Sequence, residues 1–176
     1  MGSRIGESQM RSMIVPVAAA AIVLIASEAP GQAATLYESL SPKQMLVLLE
    51  TEKGSAELDE GDDDTTVEGR VDGINYSIYF YECDGKEFTA AAGPDSNCLG
   101  YEYRAYFSDY PNDTDTVNAW NNEYHYGSLW RDDEGDLALQ LNVIVEGGIT
   151  DDNIRTTFAW WRAVIESFED FMKERK

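Results

Sequence analysis

Two aromatic segments with a period of two each meet a cysteine, and the chain has only these two cysteines. In Val67–Cys83, Ile74, Tyr76, Ile78 and Phe80 alternate with Asn75, Ser77, Tyr79 and Tyr81. In Cys98–Ser108, Leu99, Tyr101, Tyr103, Ala105 and Phe107 fall on one face. Successive side chains of a strand point to opposite faces, so both segments are expected as strands. Asp72-Gly73 is a place for the first to bend or turn, leaving one strand or two. Cys83 and Cys98 then sit at facing ends of successive strands, with fourteen residues between them. A disulfide there staples the base of a long hairpin loop. Closing a loop of this size contributes about 3 kcal/mol on the chain-entropy account. A zinc site would need more ligands than these cysteines and the single His125 provide.

Disulfides persist in oxidising compartments, and the N-terminus suggests a route to one. Arg4 and Arg11 precede the apolar run Ile14–Ala26, and small residues follow, ending in Gly31-Gln32-Ala33. This is the layout of a secretory signal peptide cleaved after Ala33. A bilayer span takes about 20 apolar residues, and this run is shorter and contains Pro16. Retention as a membrane anchor is the competing expectation. No cysteine stands directly after the run, in Ser27–Ala34, so a lipoprotein anchor is excluded. The expected organisation is 1–33 as signal peptide and 34–176 as a single domain, located in the bacterial periplasm or secreted.

Acidic residues number 33 against 13 Lys and Arg, for a net charge of −20. Residues 1–33 hold two of each sign (Arg4, Arg11, Glu7, Glu28), so cleavage leaves that balance unchanged. A surface this acidic repels nucleic acid and anionic lipid. Neither is an expected partner, and no membrane contact is expected once the leader is removed. The charge speaks first to solubility and second to a cation or a basic partner.

Helix signals bracket the strands. Ser41 with Gln44 makes a capping box, Pro42 suits the first helical position, and Gly54 is the expected stop. Ala56–Asp59 is a short candidate strand. Asp113 or Thr114 caps a second helix, in which Val117, Trp120, Asn121 and Tyr124 share a face and Gly127 is the expected end. Asp132–Asp136 is a hairpin turn around Gly135, between a strand starting at Ser128 and another over Leu137–Val145. Thr150 caps a last helix with Asp151 and Asp152 in its first turn. In that helix Ile154, Phe158, Trp161, Ile165, Phe168 and Met172 form a 3.6-period stripe. The expected order is α-β-β-β-α-β-β-α, an α+β fold with an antiparallel sheet packed by helices.

No catalytic constellation is legible. His125 has no serine elbow near it, and there is no phosphate loop or dinucleotide fingerprint. Calcium-loop spacing fails from Asp59 and from Asp132. A looser cation site at Asp62, Asp63 and Asp64 competes with a simply solvated acidic loop. No cofactor, no metal site and no enzymatic activity are expected.

Several separated features resemble one family as a set. They are Asn118-Ala119-Trp120-Asn121, the acidic glycine turn between two strands, and Glu146-Gly147-Gly148-Ile149-Thr150 before a Trp-bearing helix. Val67–Gly73 with the aromatic strand after it, and the cysteine pair, belong to the same set. Together they span Leu40 to Met172 and resemble the YbjN-like family, described as bacterial sensory transduction regulators. The resemblance implies a fold similar to type III secretion chaperones, which dimerise and bind extended segments of partner proteins. It implies no established enzymatic activity. An export signal departs from the cytoplasmic members.

Asn118–Trp130 carries the candidate site. On a structural reading, Val117, Trp120 and Tyr124 are core, and Asn118 or Asn121 hydrogen-bonds backbone at a helix end or a sheet edge. On a binding reading, Asn118, Trp120, Asn121, Tyr124, His125, Tyr126 and Trp130 form a partner-binding patch for a protein segment or a second copy. An exposed patch of Tyr124, Tyr126 and Trp130 would favour binding; exposure of only one would favour the core. The expected function is a chaperone-like interaction module or sensory regulator of the periplasm, as a homodimer. The alternative is a small-molecule or cation sensor using the acidic loops.

Overall fold

A computed structural model describes residues 34–50, 52, 55–61, 64–85 and 92–175. The expected signal peptide, the Gly54 stop, and Asp62 and Asp63 lie outside the described residues.

Three helices and two antiparallel sheets make an α+β fold. The elements are β1 (Leu36–Tyr37), α1 (Pro42–Leu49), β2 (Ser55–Glu60), β3 (Thr65–Val71), β4 (Ile74–Cys83) and β5 (Cys98–Phe107). They continue with α2 (Thr114–Glu123), β6 (Ser128–Arg131), β7 (Leu137–Ile144), β8 (Ile149–Thr150) and α3 (Asp151–Lys173). The main sheet runs β2-β3-β4-β5-β7-β6, and β1 pairs with β8 in a small second sheet. The order agrees with expectation in its helices, and between α1 and α2 it has four strands rather than three because Val67–Cys83 divides in two. β1 and β8 go beyond it, because two residues carry no readable period.

Local chemistry explains most boundaries. Val67–Cys83 divides into two strands at Asp72-Gly73, both with positive φ (50° and 94°). That is the geometry of a tight two-residue hairpin. Gly135, at φ 94°, turns β6 into β7, while the Asp132 carboxylate accepts from the N–H groups of Glu134 and Asp136. Ser41 and Gln44 form the capping box of α1. Asp113 caps α2 and Thr150 caps α3. The disulfide joins Cys83 to Cys98, which are register partners at the end of β4–β5.

The core lies between one face of the main sheet and the helices. The predicted α3 stripe is buried throughout, joined by Val164 and Phe171. From the strands come Tyr76, Ile78 and Phe80 of β4 and Tyr101, Tyr103, Ala105 and Phe107 of β5. Tyr103 stacks on Trp161 with ring centroids 5.6 Å apart. Full burial of such side chains is worth roughly 1.5–3 kcal/mol each. The other face of the sheet carries polar and aromatic side chains centred on Arg104. Its guanidinium pairs with Glu102 and donates to the Tyr106 and Tyr81 hydroxyls at 3.0 and 3.2 Å. Burial opposes this charge, but the Tyr106 hydrogen bond and the Glu102 carboxylate outweigh it and raise the pKa of Arg104 above its ordinary value.

Candidate interaction groove

α2 is fastened to the sheet by two side chains of the Asn-x-Trp-Asn element. Trp120 is fully buried, and its Nε1 donates to the Gly127 carbonyl at 2.7 Å. Asn121 projects its amide onto β6, bonding both the N–H and the C=O of Leu129. The helix ends at Glu123 with Tyr124 as its cap, not at Gly127. Gly127 serves a different purpose: a Cβ there would lie 2.6 Å from Cγ1 of Val164. The close approach of this loop to α3 therefore excludes a side chain.

The aromatic residues of the stretch divide among three environments. Tyr124 is half-buried and stacks on Trp120 at 4.0 Å. Tyr126 is 66% exposed and stacks at 4.9 Å on Trp160, itself 49% exposed. Trp130 lies on the opposite face of the sheet, where Nε1 donates to Gln140 Oε1 at 2.6 Å and the Arg104 guanidinium sits 5.5 Å from the ring. Of Tyr124, Tyr126 and Trp130 only Tyr126 is exposed, so the three form no common patch, which is the outcome that favours the core reading of this stretch. Asn118 and His125 are exposed.

Tyr126 and Trp160 instead flank a groove of about 730 Å³. One wall is the Tyr124–Gly127 loop, the other is α3 at Thr157 and Trp160, and the floor is β7 from Gln140 to Ile144. β6 pairs with β7 only over Leu137–Gln140. From Leu141 to Ile144, β7 has β5 on one side and, among the described residues, no strand on the other. Unpaired strand edges present N–H and C=O groups ready to accept another strand.

The groove is also neutral, in a molecule that is acidic as a whole. Among the described residues that line it none is acidic, and His125 is the one imidazole. The far edge of the sheet, β2, exposes Glu57, Asp59 and Glu60, a charged arrangement that discourages strand addition. Among the described residues no group of three or more His, Cys, Asp or Glu is placed to hold a metal ion. Asp64, the described member of the acidic loop, accepts from the Ala92 N–H at 2.8 Å.

Trp160 and the free stretch of β7 were not among the sequence-derived site residues. Trp160 stands off the buried stripe beside Trp161, and that displacement was its only signal. The free edge had none, because it depends on which residue of β7 lies opposite Ser128.

The YbjN family, described as "Putative bacterial sensory transduction regulator", matches residues 41–174. The chain belongs to the YbjN family. The match begins at the α1 cap and ends one residue beyond α3, so the YbjN domain contains the whole main sheet and the groove. No curated protein matches the chain. Among the described residues no helix is long and apolar enough to cross a membrane.

Proposed function

We propose that this YbjN protein is a non-enzymatic interaction module that acts outside the cytoplasm and regulates by holding an extended segment of a partner protein. The observation that carries this reading is the unpaired edge of β7 at Leu141–Ile144, set in a neutral groove beside the Tyr126–Trp160 stack. An extended segment laid along such an edge gains main-chain hydrogen bonds for affinity and pockets for alternate side chains. Aromatic residues of this kind are common anchors of binding energy. Among the described residues no carboxylate lines the groove near His125 to orient it for general-base chemistry. The buried disulfide fits an oxidising compartment, the periplasm or the exterior.

The test is affinity capture from periplasmic extract, comparing the wild type with Asn142→Pro. Proline removes a backbone N–H from the free edge and is tolerated on edge strands. A protein recovered by the wild type and lost with the variant supports the reading. Equal recovery by both, or by neither, overturns it.

A further inference from the structure

The free edge of β7 is complementary to itself. Resting on the same edge as the proposed partner groove, we infer that it pairs with β7 of a second copy of this chain, antiparallel about a two-fold axis at Val143. Backbone direction leads to this register. Asn121 occupies both main-chain groups of Leu129, so these point away from β7. Leu129 is the register partner of Leu139, which makes them a non-hydrogen-bonded pair. Alternation then turns the odd residues of β7 toward β5 and the even ones outward. Val145 agrees, its N–H reaching the Leu99 carbonyl at 2.7 Å. Asn142 and Ile144 therefore direct their N–H and C=O groups into the groove.

An antiparallel neighbour must oppose outward-directed residues to outward-directed residues. An axis at Val143 sets Asn142 against Ile144 of the second copy, and Ile144 against its Asn142. Both pairs are hydrogen-bonded pairs. An axis at Asn142 would oppose Ile144 to Gln140, which β6 already holds. An axis at Ile144 would oppose Asn142 to Glu146, whose N–H is turned back to Leu99. The chain leaves the sheet after Val145 through Gly147 and Gly148, both at positive φ (91° and 98°), which ends the pairing there.

Charge and surface favour a copy at this place. Two chains of net charge −20 repel wherever their acids meet. Leu141–Ile144 and the described residues of the groove lining bring none. Ile144, 76% exposed, would cover Asn142 of the second copy across the seam. The two Val143 side chains would meet at the axis, on the face that carries Trp160. The two six-stranded sheets would become one continuous twelve-stranded sheet. A captured segment and the second copy use the same edge, so partner binding and self-pairing exclude one another.

The full chain, expressed with its N-terminal segment in an exporting host, is weighed by light scattering across a concentration series. Twice the protomer mass is expected for the wild type, and the protomer mass for Asn142→Pro and Ile144→Lys with unchanged far-UV circular dichroism. In Val143→Cys the two new thiols face each other across the axis, and an interchain disulfide is expected without added cross-linker. That readout decides the matter if an edge variant fails to fold. A wild type that stays at protomer mass, or a dimer that survives Asn142→Pro with no Val143→Cys cross-link, overturns the inference. A protomer-mass wild type that still captures a partner overturns self-pairing and leaves segment capture standing.

Discussion

The amide of Asn121 satisfies both outward backbone groups of Leu129. Nδ2 donates to the Leu129 carbonyl at 2.8 Å, and Oδ1 accepts from the Leu129 N–H at 2.9 Å. One side chain of α2 thereby closes the outer edge of β6 and leaves β7 open one residue pair further on. Asn121→Ala leaves two backbone groups to solvent and removes one of the two fastenings of α2. A loss of roughly 1–3 kcal/mol is expected by urea unfolding. Asn121→Asp should cost as much, because a carboxylate cannot donate to the carbonyl. Asn118→Ala, on the exposed side of α2, should stay within about 0.5 kcal/mol of wild type.

Gly69 and Tyr76 are register partners on β3 and β4. A Cβ on Gly69 would overlap the end of the Tyr76 ring, which is 2% exposed and packs against Tyr103, Phe158 and Trp161. Those three rings hold it in place. Gly69→Ala is expected to destabilise by about 1–3 kcal/mol through overpacking. Adding Tyr76→Phe, which removes the hydroxyl at the point of overlap, should recover part of that loss. Denaturant midpoints of the single and double variants measure the coupling.

The Cys83–Cys98 sulfurs are enclosed, with the two residues 1% and 0% exposed. Leu40 adds a pair of backbone hydrogen bonds to Cys98, at 3.0 and 3.2 Å. Reductant in native buffer should leave the bond intact, and reductant with denaturant should break it. Thiol titration under both conditions distinguishes the two. Once reduced, the protein should lose roughly 3 kcal/mol and melt several degrees lower.

Burial raises several tyrosine pKa values. Tyr76 is pushed up to about 12 by desolvation, helped by the nearby Glu68 carboxylate. Tyr81 also reaches about 12, through desolvation and then Glu102. Tyr103 is raised as well, chiefly by its burial. A raised folded-state pKa means the folded chain holds protons that the unfolded chain releases near pH 10. The resulting stability is fully present below about pH 10 and falls as pH rises from there through about 12. Urea midpoints should therefore be insensitive to tyrosine ionisation up to about pH 9 and fall above about pH 10. Ultraviolet absorbance should show the tyrosinate of the buried rings, Tyr76 and Tyr103, appearing together with unfolding.

Local chemistry made much of this fold legible before any coordinates. Ser41-Pro42-x-Gln44, Asp113 and Thr150 announce helix starts because a side-chain oxygen satisfies orphan N–H groups within three residues. The α3 stripe and the alternation of β4 and β5 announce their buried faces because each period follows from one element's geometry. The cysteine pair was legible because it closes successive strands. The candidate site was legible only in part. Tyr124, His125 and Tyr126 do line a groove, while Trp120 is core, Asn121 ties backbone, and Trp130 faces away.

The sequence by itself determined the helices and the longer strands, most of their caps and turns, the family and the buried stripe of α3. All of these depend on neighbours a few positions apart or on a fixed period. Only the tertiary structure decided that Trp160 of α3 meets Tyr126 of the α2–β6 loop. It alone placed Ser128, the first residue of β6, opposite Gln140, and so left β7 unpaired beyond that point. Those facts depend on where elements distant in sequence end against one another in space. A strand edge becomes a site only when the neighbouring strand fails to cover it.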